Sequence, residues 1–589
     1  MKIRLIDPAL KGTSQEHTKR ELKYLWFTHL SLTMIAGLTP DEHEVQITDE
    51  NVEDIDFEED VDLVGLTGMT IHAPRAYEIA KRFRDRGIPV VMGGIHASSL
   101  PYEAKKHVDA VVIGEAETVW RGLLDDVRRG KLKPFYKAEG LCSLKGLPHP
   151  RQDLLKKQAY MTTNCIQTTR GCPFNCNYCS VTQFFGQRYR FRPVEEVVEE
   201  AKKYSGKFVA FVDDNIVGNP SYAKKLFKAL VPLNIRWGSQ GSLTMAKDDE
   251  LLKLAAKSGC SAMFIGFESL SQKNLKAMNK SINKVDEYSD AIKKIHDHGI
   301  MINGAFIFGL DYDDESVFER TVRFVEKEKI ELATYHILTP LPGTLFFQQM
   351  EKEGRIIDRD WSKYNSSNVV FKPKLMSEET LQDGYYWAFR ETYSYPSILK
   401  RLAFTKQKFI SRLLLNIGYR GFVRRAPEGK LSSLAKLLKK LNDSIPVKEI
   451  NNLIPTIQNY PQKKFHNIIA EAERFLHINA TENERARTLT LNLEGSLDIK
   501  AAKKLINRIK LAINKGQEKI ILDFSGIKYF SPKAVNLLFV NQYEYLMKIK
   551  DRIKFIKVNE KISGMMENLK NFVCELETKN NEGQTEISR

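Results

Sequence analysis

The stretch Cys172-Pro-Phe-Asn-Cys176-Asn-Tyr-Cys179 places three cysteines in a C-x3-C-x2-C run, directly after Gln167-Thr-Thr-Arg170-Gly171. A structural zinc site takes four ligands, commonly as two pairs, and neither a second pair nor a nearby histidine follows this run. A [4Fe–4S] cluster is held by cysteine thiolates. Three cysteines would leave one iron of such a cluster open to a further ligand.

This spacing, which follows a predicted strand inside a loop containing Gly and Pro, resembles the cluster-binding motif of the radical S-adenosylmethionine (SAM) enzymes. The resemblance implies that Cys172, Cys176 and Cys179 bind the cluster and that the open iron chelates the amino and carboxylate groups of SAM. It also implies reductive cleavage of SAM to a 5′-deoxyadenosyl radical, with the electron supplied by a reductant such as flavodoxin or ferredoxin. A zinc loop or a chance clustering of cysteines is the alternative.

The length, charge and cysteine content of the chain bound its organisation. At 589 residues it should hold three or four domains, since domains usually run ~100–200 residues. Seven cysteines, three of them clustered, indicate ligands rather than a disulfide framework, so an anaerobic, reducing cytoplasm is the expected compartment. The N-terminus shows no signal-peptide pattern, and no apolar run approaches the ~18 residues of a membrane span. The net charge of +16 favours an anionic partner without identifying it.

Residues 1–135 alternate short apolar strands with amphipathic stretches, which predicts a Rossmann-like α/β domain with a parallel sheet. In such a sheet a ligand lies over the carboxyl ends of the strands, where glycine lets it approach the backbone. No G-x-G-x-x-G is present, which weakens a dinucleotide interpretation. Three predicted strands end at Thr67-Gly68, Gly93-Gly94 and Gly114-Glu115.

The order of these loops resembles the cobalamin-binding domain found ahead of many radical SAM domains. The D-x-H-x-x-G ligand motif of cobalamin mutases is missing, so no histidine of that motif can coordinate the cobalt. His96 could do so instead, although lining the loop or capping the next helix is the favoured role. A degenerate domain without a ligand is the alternative. The cobalamin-binding candidates are Thr67, Gly68, Thr70, Gly93, Gly94, His96, Gly114 and Glu115.

After a linker at 136–161, strands and helices alternate again over 162–375. Six such units predict the partial (β/α)6 barrel of radical SAM enzymes, with chemistry at the carboxyl ends of the strands. Asp213 or Asp214 could accept hydrogen bonds from the SAM amino group, although an Asp-Asp-Asn sequence can also cap a helix. Gly266-Phe-Glu268 resembles the family sequence that holds SAM, although Glu268 could instead pair with an arginine. Further cofactor candidates are Tyr178, at the family's adenine-contacting position, and Ser239 and Gln240, at the end of the third strand.

His336, at the end of the sixth strand, is the catalytic candidate because histidine can transfer protons near neutral pH. Lining the substrate side without chemistry is the alternative role. Cys165 and Cys260 are expected to be structural. Cys142 is a candidate for the methyl-carrying role of extra cysteines in the class without cobalamin, but the cobalamin-like domain makes that role unnecessary.

Residues 376–430 form a basic extension with no acidic residue from Thr392 to Pro427. Leu402, Phe409, Leu413 and Ile417 recur at helical spacing, which predicts an amphipathic helix. Such a helix suits an anionic bilayer, so a cytoplasmic protein with a peripheral contact at the inner face of the membrane is one expectation. A helix packed on the barrel with solvated lysines is the other.

Residues 431–482 read as a helical connector, and 483–577 resemble a STAS domain, the fold of anti-sigma-factor antagonists; 578–589 read as a disordered tail. The family's L-x-G-x-L-D opening is matched by Leu493-Glu-Gly495-Ser-Leu-Asp498. Its phosphoacceptor segment would fall near Ser531-Pro532-Lys533-Ala534, where the proline argues against a phosphorylation switch. Docking of a protein partner is the favoured role.

These features together predict a cobalamin-dependent radical SAM enzyme that methylates an unactivated carbon of a hydrophobic or lipid-like small molecule. One SAM would methylate the cobalt and a second would supply the radical. No nucleic-acid partner is expected. The alternatives are a radical SAM cyclase or rearrangement enzyme without methyl transfer, and a cobalamin-binding regulator that acts through the STAS-like domain.

Overall fold

The computed structural model divides the chain into two compact units, Met1–Val447 and Lys448–Arg589. It describes residues 1–10, 25–402 and 409–425 of the first unit. In the second unit it describes residues 477–483, 487–497, 505–506, 508–510, 512–513, 517–530 and 553–556. The segment Ser531–Ala534, the predicted tail and most of the predicted helical connector lie outside these ranges.

The N-terminal part of the first unit alternates strands with helices. Leu63, Val64 and Leu66 are all buried, because helices cover both faces of a parallel sheet. The elements in chain order are β1 (Lys2–Asp7), β2 (Leu25–Phe27), α1 (Ser31–Leu38), β3 (Glu44–Asp49), β4 (Leu63–Leu66), α2 (Ala73–Asp85), β5 (Val90–Met92), α3 (Ile95–Ser99), α4 (Pro101–Ala104), β6 (Ala110–Ile113), α5 (Trp120–Arg128), β7 (Phe135–Lys137) and β8 (Tyr160–Thr162).

The first sheet has six strands in the order β3-β1-β4-β5-β6-β7, and all neighbouring pairs are parallel. The strand order reverses between β1 and β4, and an open parallel sheet forms a ligand crevice at such a point. The predicted Rossmann-like architecture is confirmed. β7 adds a strand that the sequence pattern did not predict, and β2 pairs with β8 in a separate two-stranded sheet.

The rest of the first unit forms a second run of alternating strands and helices. The elements in chain order are β9 (Cys165–Ile166), β10 (Thr169–Arg170), α6 (Ser180–Phe185), β11 (Arg190–Phe191), α7 (Val194–Lys202), β12 (Phe208–Phe211), α8 (Pro220–Leu230), β13 (Arg236–Gly241), α9 (Asp249–Lys257), β14 (Cys260–Glu268), α10 (Gln272–Ala277), α11 (Tyr288–Asp297), β15 (Met301–Phe308), α12 (Val317–Lys327), β16 (Leu332–Ile337), α13 (Leu345–Lys352), α14 (Glu378–Thr392), α15 (Tyr395–Leu402) and α16 (Phe409–Arg425).

The second sheet is the predicted open barrel, with six parallel strands in the order β16-β15-β14-β13-β12-β9. Trp237 on β13 packs against Phe227 of α8, and Phe306 on β15 packs against Phe324 of α12. One face of the sheet therefore meets the surrounding helices. Because side chains alternate along a strand, the intervening residues face the barrel lumen.

The basic extension packs against the barrel through α15 and α16. The guanidinium of Arg401 is completely buried and donates to the backbone oxygens of Glu331 and Thr392. Arg412 pairs with the Glu331 carboxylate at 2.9 Å, and Arg420 donates to the backbone oxygen of Tyr393 at 2.8 Å. Three of the cations in the extension thus bind the barrel, as the packed-helix alternative requires. Across the ranges that the structure describes, every helix is too short or too polar to cross a membrane.

The second unit contains a four-stranded sheet in the order β17-β18-β19-β20, in which β17 is antiparallel to β18 and the other pairs are parallel. Leu491, Leu505, Ile509 and Leu522 are buried and form its core. β17 begins inside the segment predicted to be helical, because it pairs with β18 as a hairpin. The bounds are β17 (His477–Asn483), β18 (Thr488–Leu497), β19 (Lys519–Phe530) and β20 (Ile553–Ile556).

Candidate functional site

A cavity of about 700 Å³ lies over the carboxyl ends of the first sheet. Arg170, Phe184 and Val212 belong to the barrel half and also line it, so the cavity lies between the two sheets. Its volume is in the range of cofactor sites, which are usually ~300–1,000 Å³. Six of the cobalamin candidates line it: Thr67, Gly68, Gly93, Gly94, Gly114 and Glu115.

Glycine is required where the loops after β4 and β5 meet. Gly94 has φ of +95°, and a Cβ there would lie 3.0 Å from Thr67 Oγ1 and 3.1 Å from the Gly68 nitrogen. Any side chain at this position would be strained and would clash with the neighbouring loop. The loops therefore present bare backbone to the cavity, which fits a large flat ligand such as a corrin ring.

Two cobalamin candidates lie outside the cavity lining. Thr70 is buried at the start of a short 3-10 turn, Thr70–His72. His96 is fully buried, and its Nε2 lies 2.8 Å from the Tyr77 hydroxyl of α2. Its ring also meets Trp361 edge-on at 6.1 Å. His96 thus packs between α2 and the segment after the barrel, away from the cavity.

The sequence did not single out a histidine and an aspartate that line the same cavity. Asp7 ends β1, and His29 lies two residues before α1; His29 Nδ1 is hydrogen-bonded to the Asp7 carboxylate. The charge of Asp7 raises the pKa of His29 to about 9. Behind them, the Tyr160 hydroxyl donates to Asp49 at 2.7 Å, and burial raises the pKa of Asp49. A polar residue ending a buried strand was the available signal for Asp7.

Glu115 joins the cavity to the barrel. Its carboxylate accepts hydrogen bonds from Arg170 at 2.7 Å and from Arg190 at 2.9 Å, and from the backbone N–H of Cys142 at 2.7 Å. Burial opposes its ionisation, but the two arginines hold its pKa below the usual value. The ligand atoms of Glu115, Glu117 and Cys142 lie close enough to hold an ion. The two guanidinium groups neutralise this charge, so the group is an ion-pair cluster.

Cys142 is buried beside this cluster. Burial raises the pKa of its thiol to about 11. A protonated thiol is a poor nucleophile. The structure therefore gives no support to a methyl-carrying role for Cys142.

The cysteine loop is fixed to the barrel at both ends. Asn215, at the end of the β12 segment, places its Nδ2 3.8 Å from Cys172 Sγ. The backbone N–H of Asn177 donates to the carbonyl of Met278 at 3.2 Å. Cys176 is buried and burial raises its pKa to about 11, so binding of iron must displace thiol protons. The loop thus positions thiols at the carboxyl ends of the strands.

Glu268, Lys280 and Tyr178 form a buried polar group beside these thiols. Lys280 donates to Glu268 Oε1, and the Tyr178 hydroxyl is hydrogen-bonded to the same carboxylate. Burial would lower the pKa of Lys280, but Glu268 and the thiols Cys176 and Cys179 raise it. Glu268 thus pairs with a lysine rather than with the arginine considered above. Lys280 was missed because its loop reaches the cysteines only in the folded chain.

Asp213 and Asp214 bind the backbone that precedes the cysteines. Asp213 Oδ1 accepts the backbone N–H and hydroxyl groups of both Thr168 and Thr169. Asp214 accepts the N–H of Gly171 at 3.0 Å. Burial raises the pKa of each carboxyl group to about 6. Both residues lie next to the predicted SAM site, and in this structure their hydrogen bonds hold the loop.

The remaining candidates lie in or near the barrel lumen. Ser239 donates to the backbone oxygen of Phe211 at 2.8 Å, and Gln240 is exposed. His336 is half-buried on the lumen side of β16, where burial lowers its pKa. It is therefore a neutral imidazole that can accept or donate a hydrogen bond.

Arg236 adds an unpredicted charge to the lumen. Its side chain is half-buried at the start of β13, and burial lowers its pKa. Within the described part of the chain, its Nε is buried without a hydrogen-bond partner, as are Asn303 Oδ1 on β15 and Thr334 Oγ1 on β16. Among the described residues, none forms an ion pair with Arg236. These groups stand toward the amino ends of β13, β15 and β16, opposite to the cysteine loop, and the Asn303 side chain is hydrogen-bonded to Tyr419 of α16.

Three family profiles match the chain. The Radical SAM superfamily matches residues 166–325, and the B12 binding domain matches residues 24–124. A domain of unknown function, DUF4070, matches residues 344–414, which include α13 to α15. The two named profiles correspond to the barrel and to the first sheet with its cavity.

Curated relatives from bacteria match a large part of the chain. Bacteriochlorophyllide d C-12(1)-methyltransferase of Chlorobaculum tepidum is 34% identical over 386 residues, covering 63% of this chain and 84% of the relative. Bacteriochlorophyllide d C-8(2)-methyltransferase of the same organism is 34% identical, covering 67% and 91%. Hopanoid C-2 methylase of Rhodopseudomonas palustris is 28% identical, covering 63% and 72%.

Solved structures share the fold. The radical SAM methyltransferase TsrM of Kitasatospora setae, with cobalamin and a [4Fe–4S] cluster bound, has a TM-score of 0.51 at 15% identity and covers 73% of this chain and 99% of its own. The cobalamin-dependent radical enzyme OxsB, with aqua-cobalamin and SAM bound, has a TM-score of 0.54 at 13% identity and covers 74% of each chain.

Proposed function

The chain belongs to the radical SAM enzymes that carry a B12-binding domain, and on that premise we propose that it transfers a methyl group from SAM to a carbon atom of a hydrophobic small molecule. The predicted cofactors, a [4Fe–4S] cluster, SAM and cobalamin, are confirmed by the two domain matches. The prediction of an enzyme, in particular a methyltransferase, is likewise confirmed by its relatives.

One observation carries the proposal: the cobalamin cavity and the cysteine loop share a wall. Arg170 immediately precedes Gly171 and Cys172, lines the cavity, and pairs with Glu115 at the end of β6. The residues that would hold the cobalamin and the residues that would hold the cluster therefore lie on neighbouring loops. A binding protein that only sensed cobalamin would not need a cluster site next to the cavity.

The protein's own residues divide the work. When bound, the cluster supplies the electron that cleaves SAM, and cobalamin carries the methyl group. Cys172, Cys176 and Cys179 would bind the iron, while Lys280 and Glu268 keep a balanced charge beside them. His336, neutral and facing the lumen, is placed to hold or accept a proton from the substrate.

The substrate class follows from the lumen and from the relatives. Phe264, Ala305 and Ile307 place apolar side chains on the lumen side of β14 and β15. We therefore infer a largely hydrophobic substrate. The methyltransferases similar to this chain act on a bacteriochlorophyllide and on hopanoids by name.

The decisive experiment reconstitutes the protein anaerobically with iron, sulfide and cobalamin, then adds SAM, a reductant and a host lipid extract. S-adenosylhomocysteine together with 5′-deoxyadenosine, measured by mass spectrometry, is the expected result. Deoxyadenosine alone would favour ring closure or rearrangement. Neither product, with a verified cluster, would overturn the enzyme proposal and favour the cobalamin-binding regulator.

The finer expectations for partners and localisation are part of the same proposal. A peripheral membrane contact would have to use other cations of the extension, because Arg401, Arg412 and Arg420 bind the barrel rather than solvent. Failure to sediment with anionic liposomes at low salt would remove it.

We propose that the STAS-like unit docks a protein partner in the cytoplasm, and its three parallel strands support the resemblance. Deleting residues 448–589 should leave turnover intact and abolish that docking.

A further inference from the structure

The Asp7–His29 pair occupies the connection between the first strand and the first helix of the cobalamin domain. Both side chains line the cavity. The side chain of His29 is 53% exposed and that of Asp7 only 8% exposed, so the carboxylate lies behind the ring. His29 uses Nδ1 for the bond to Asp7, and Nε2 has no partner among the described residues.

An imidazole in this state is arranged as a metal ligand. A carboxylate that accepts the proton of one ring nitrogen fixes the tautomer and orientation of the ring and leaves the other nitrogen free to bind a metal. In the same connection, the sequence Asp7-Pro8-Ala9-Leu10-Lys11-Gly12 keeps the Asp and Gly of the D-x-H-x-x-G motif, with alanine in the histidine position. His29 follows later in that connection and meets the retained aspartate.

We propose that His29 coordinates the cobalt of the bound cobalamin through Nε2, with Asp7 as the residue that positions the ring. The inference rests on the proposed function, since it requires cobalamin in the cavity. The step forms one N–Co bond from the Nε2 lone pair, and a solvent ligand leaves the metal. Any proton on Nε2 goes to solvent, and no electron is transferred.

The competing state is a simple ion pair. Asp7 raises the pKa of His29 to about 9, with a smaller contribution from Asp49, while burial opposes the shift. The imidazole of His72 also lines the cavity and lies close enough to feel the charge of His29. A doubly protonated ring has no free lone pair, so protonation and coordination exclude each other. The electron paramagnetic resonance spectrum of the cobalt therefore distinguishes the protonated ring from the coordinated ring.

The test is electron paramagnetic resonance of Co(II)-cobalamin bound to the full chain, without SAM. One sample carries ordinary histidine and the other ¹⁵N-histidine. Coordination by His29 should split each cobalt line into a triplet in the first sample and a doublet in the second. The cofactor's own dimethylbenzimidazole is unlabelled, so a triplet in both samples would show that it, rather than a histidine, is bound.

Variants assign the signal to one residue. His29→Gln should bind cobalamin and lose the label-dependent splitting, and His72→Gln, the matched control in the same cavity, should keep it. Asp7→Asn should lower the affinity of the His29 ring for the cobalt by ~10–100-fold, as expected for a residue that orients a metal-binding histidine. The label-dependent splitting should weaken accordingly.

Each outcome decides the proposal. A spectrum insensitive to the label, with cobalamin bound by absorbance, would overturn it and leave the proposed function intact. Splitting that disappeared in H72Q and persisted in H29Q would assign the ligand to His72 and also overturn it. A chain that bound no cobalamin would overturn both the coordination and the methyl transfer through cobalamin.

Discussion

The two cofactor sites of the first unit lie at the carboxyl ends of two parallel sheets, but they are built from opposite materials. The cobalamin cavity depends on loops that lack side chains, with Gly94 held against Thr67 and Gly68. The barrel site depends on side chains, with Cys176 beside Lys280 and Glu268. One site should therefore fail when a side chain is added, and the other when one is removed.

The largest effect is expected from Cys176→Ser. A hydroxyl is a poor replacement for a thiolate ligand of iron, so the cluster should be lost and both SAM-derived products should fall below detection. Iron content, the visible spectrum and product formation measure this. Cobalamin binding should persist, because the cavity lies outside the cysteine loop. Cys260→Ser, at the buried start of β14, is the matched control, and equal loss there would contradict the assignment of the triad.

The opposite change is Gly94→Val in the cavity. The new side chain would force a β-branched residue into a positive φ and against Thr67, so cobalamin binding should be abolished. The iron content should stay at the wild-type level. Gly122→Val on α5, where a Cβ meets nothing within 4 Å, provides the control. Cobalamin retained by the Gly94 variant would break the comparison between the two sites.

A smaller effect is expected from Lys280→Met. The variant leaves Glu268 buried beside the thiols without its cation, so the added negative charge should make the cluster harder to reduce. Turnover should fall by ~10–100-fold, as for other residues that support a metal site. The reduction potential, followed by absorbance, should shift to more negative values. Lys276→Met, exposed on α10 just before the Lys280 loop, should show neither change.

The smallest effect is expected from Asp213→Asn, which sharpens the comparison within the barrel. Asp213 Oδ1 makes all four hydrogen bonds, and Oδ2 has no partner among the residues that the structure describes, so an amide fits the site. Because this structure uses Asp213 to hold Thr168 and Thr169, the KM for SAM should stay within a factor of two or so. A large rise in KM would restore the predicted contact with the SAM amino group.

The Asp213 carboxyl group also predicts a pH dependence of the free energy of unfolding, which the same variant tests. Burial raises the pKa of Asp213 from 3.8 to about 6, so the folded state keeps a proton that the unfolded state has released. Its contribution to stability is full below about pH 4 and is lost as the pH rises through about 6. Urea unfolding should show that the wild type loses more stability over this window than D213N. An equal change of the unfolding free energy with pH in the two proteins would contradict the assignment of this effect to Asp213.

Most of the fold and of the candidate site could be predicted from short sequence patterns. The cysteine run and the glycine-ended strands are short patterns, and the sheets and most of the cavity followed from them. The Asp7–His29 pair was not predicted because its members lie 22 residues apart in the sequence, and Lys280 was not predicted because it reaches Cys176 and Cys179 only in the folded chain. Asp213 shows a different limit. A carboxylate after a strand can face a ligand or bind its own loop, and only the positions of Thr168 and Thr169 decide between them.

The way the outer edge of β16 is covered affects the tendency of the protein to aggregate. The Tyr393 hydroxyl bonds to both the N–H and the carbonyl of Ala333, and Ser366 accepts the N–H of Ile337. Arg401 covers the carbonyl of Glu331. An uncovered edge strand is a template for pairing with another chain. The segment after the barrel thus prevents β16 from pairing with another chain. A chain cut before α15 would keep its cofactor residues but would lose the Arg401 contact that covers part of this edge.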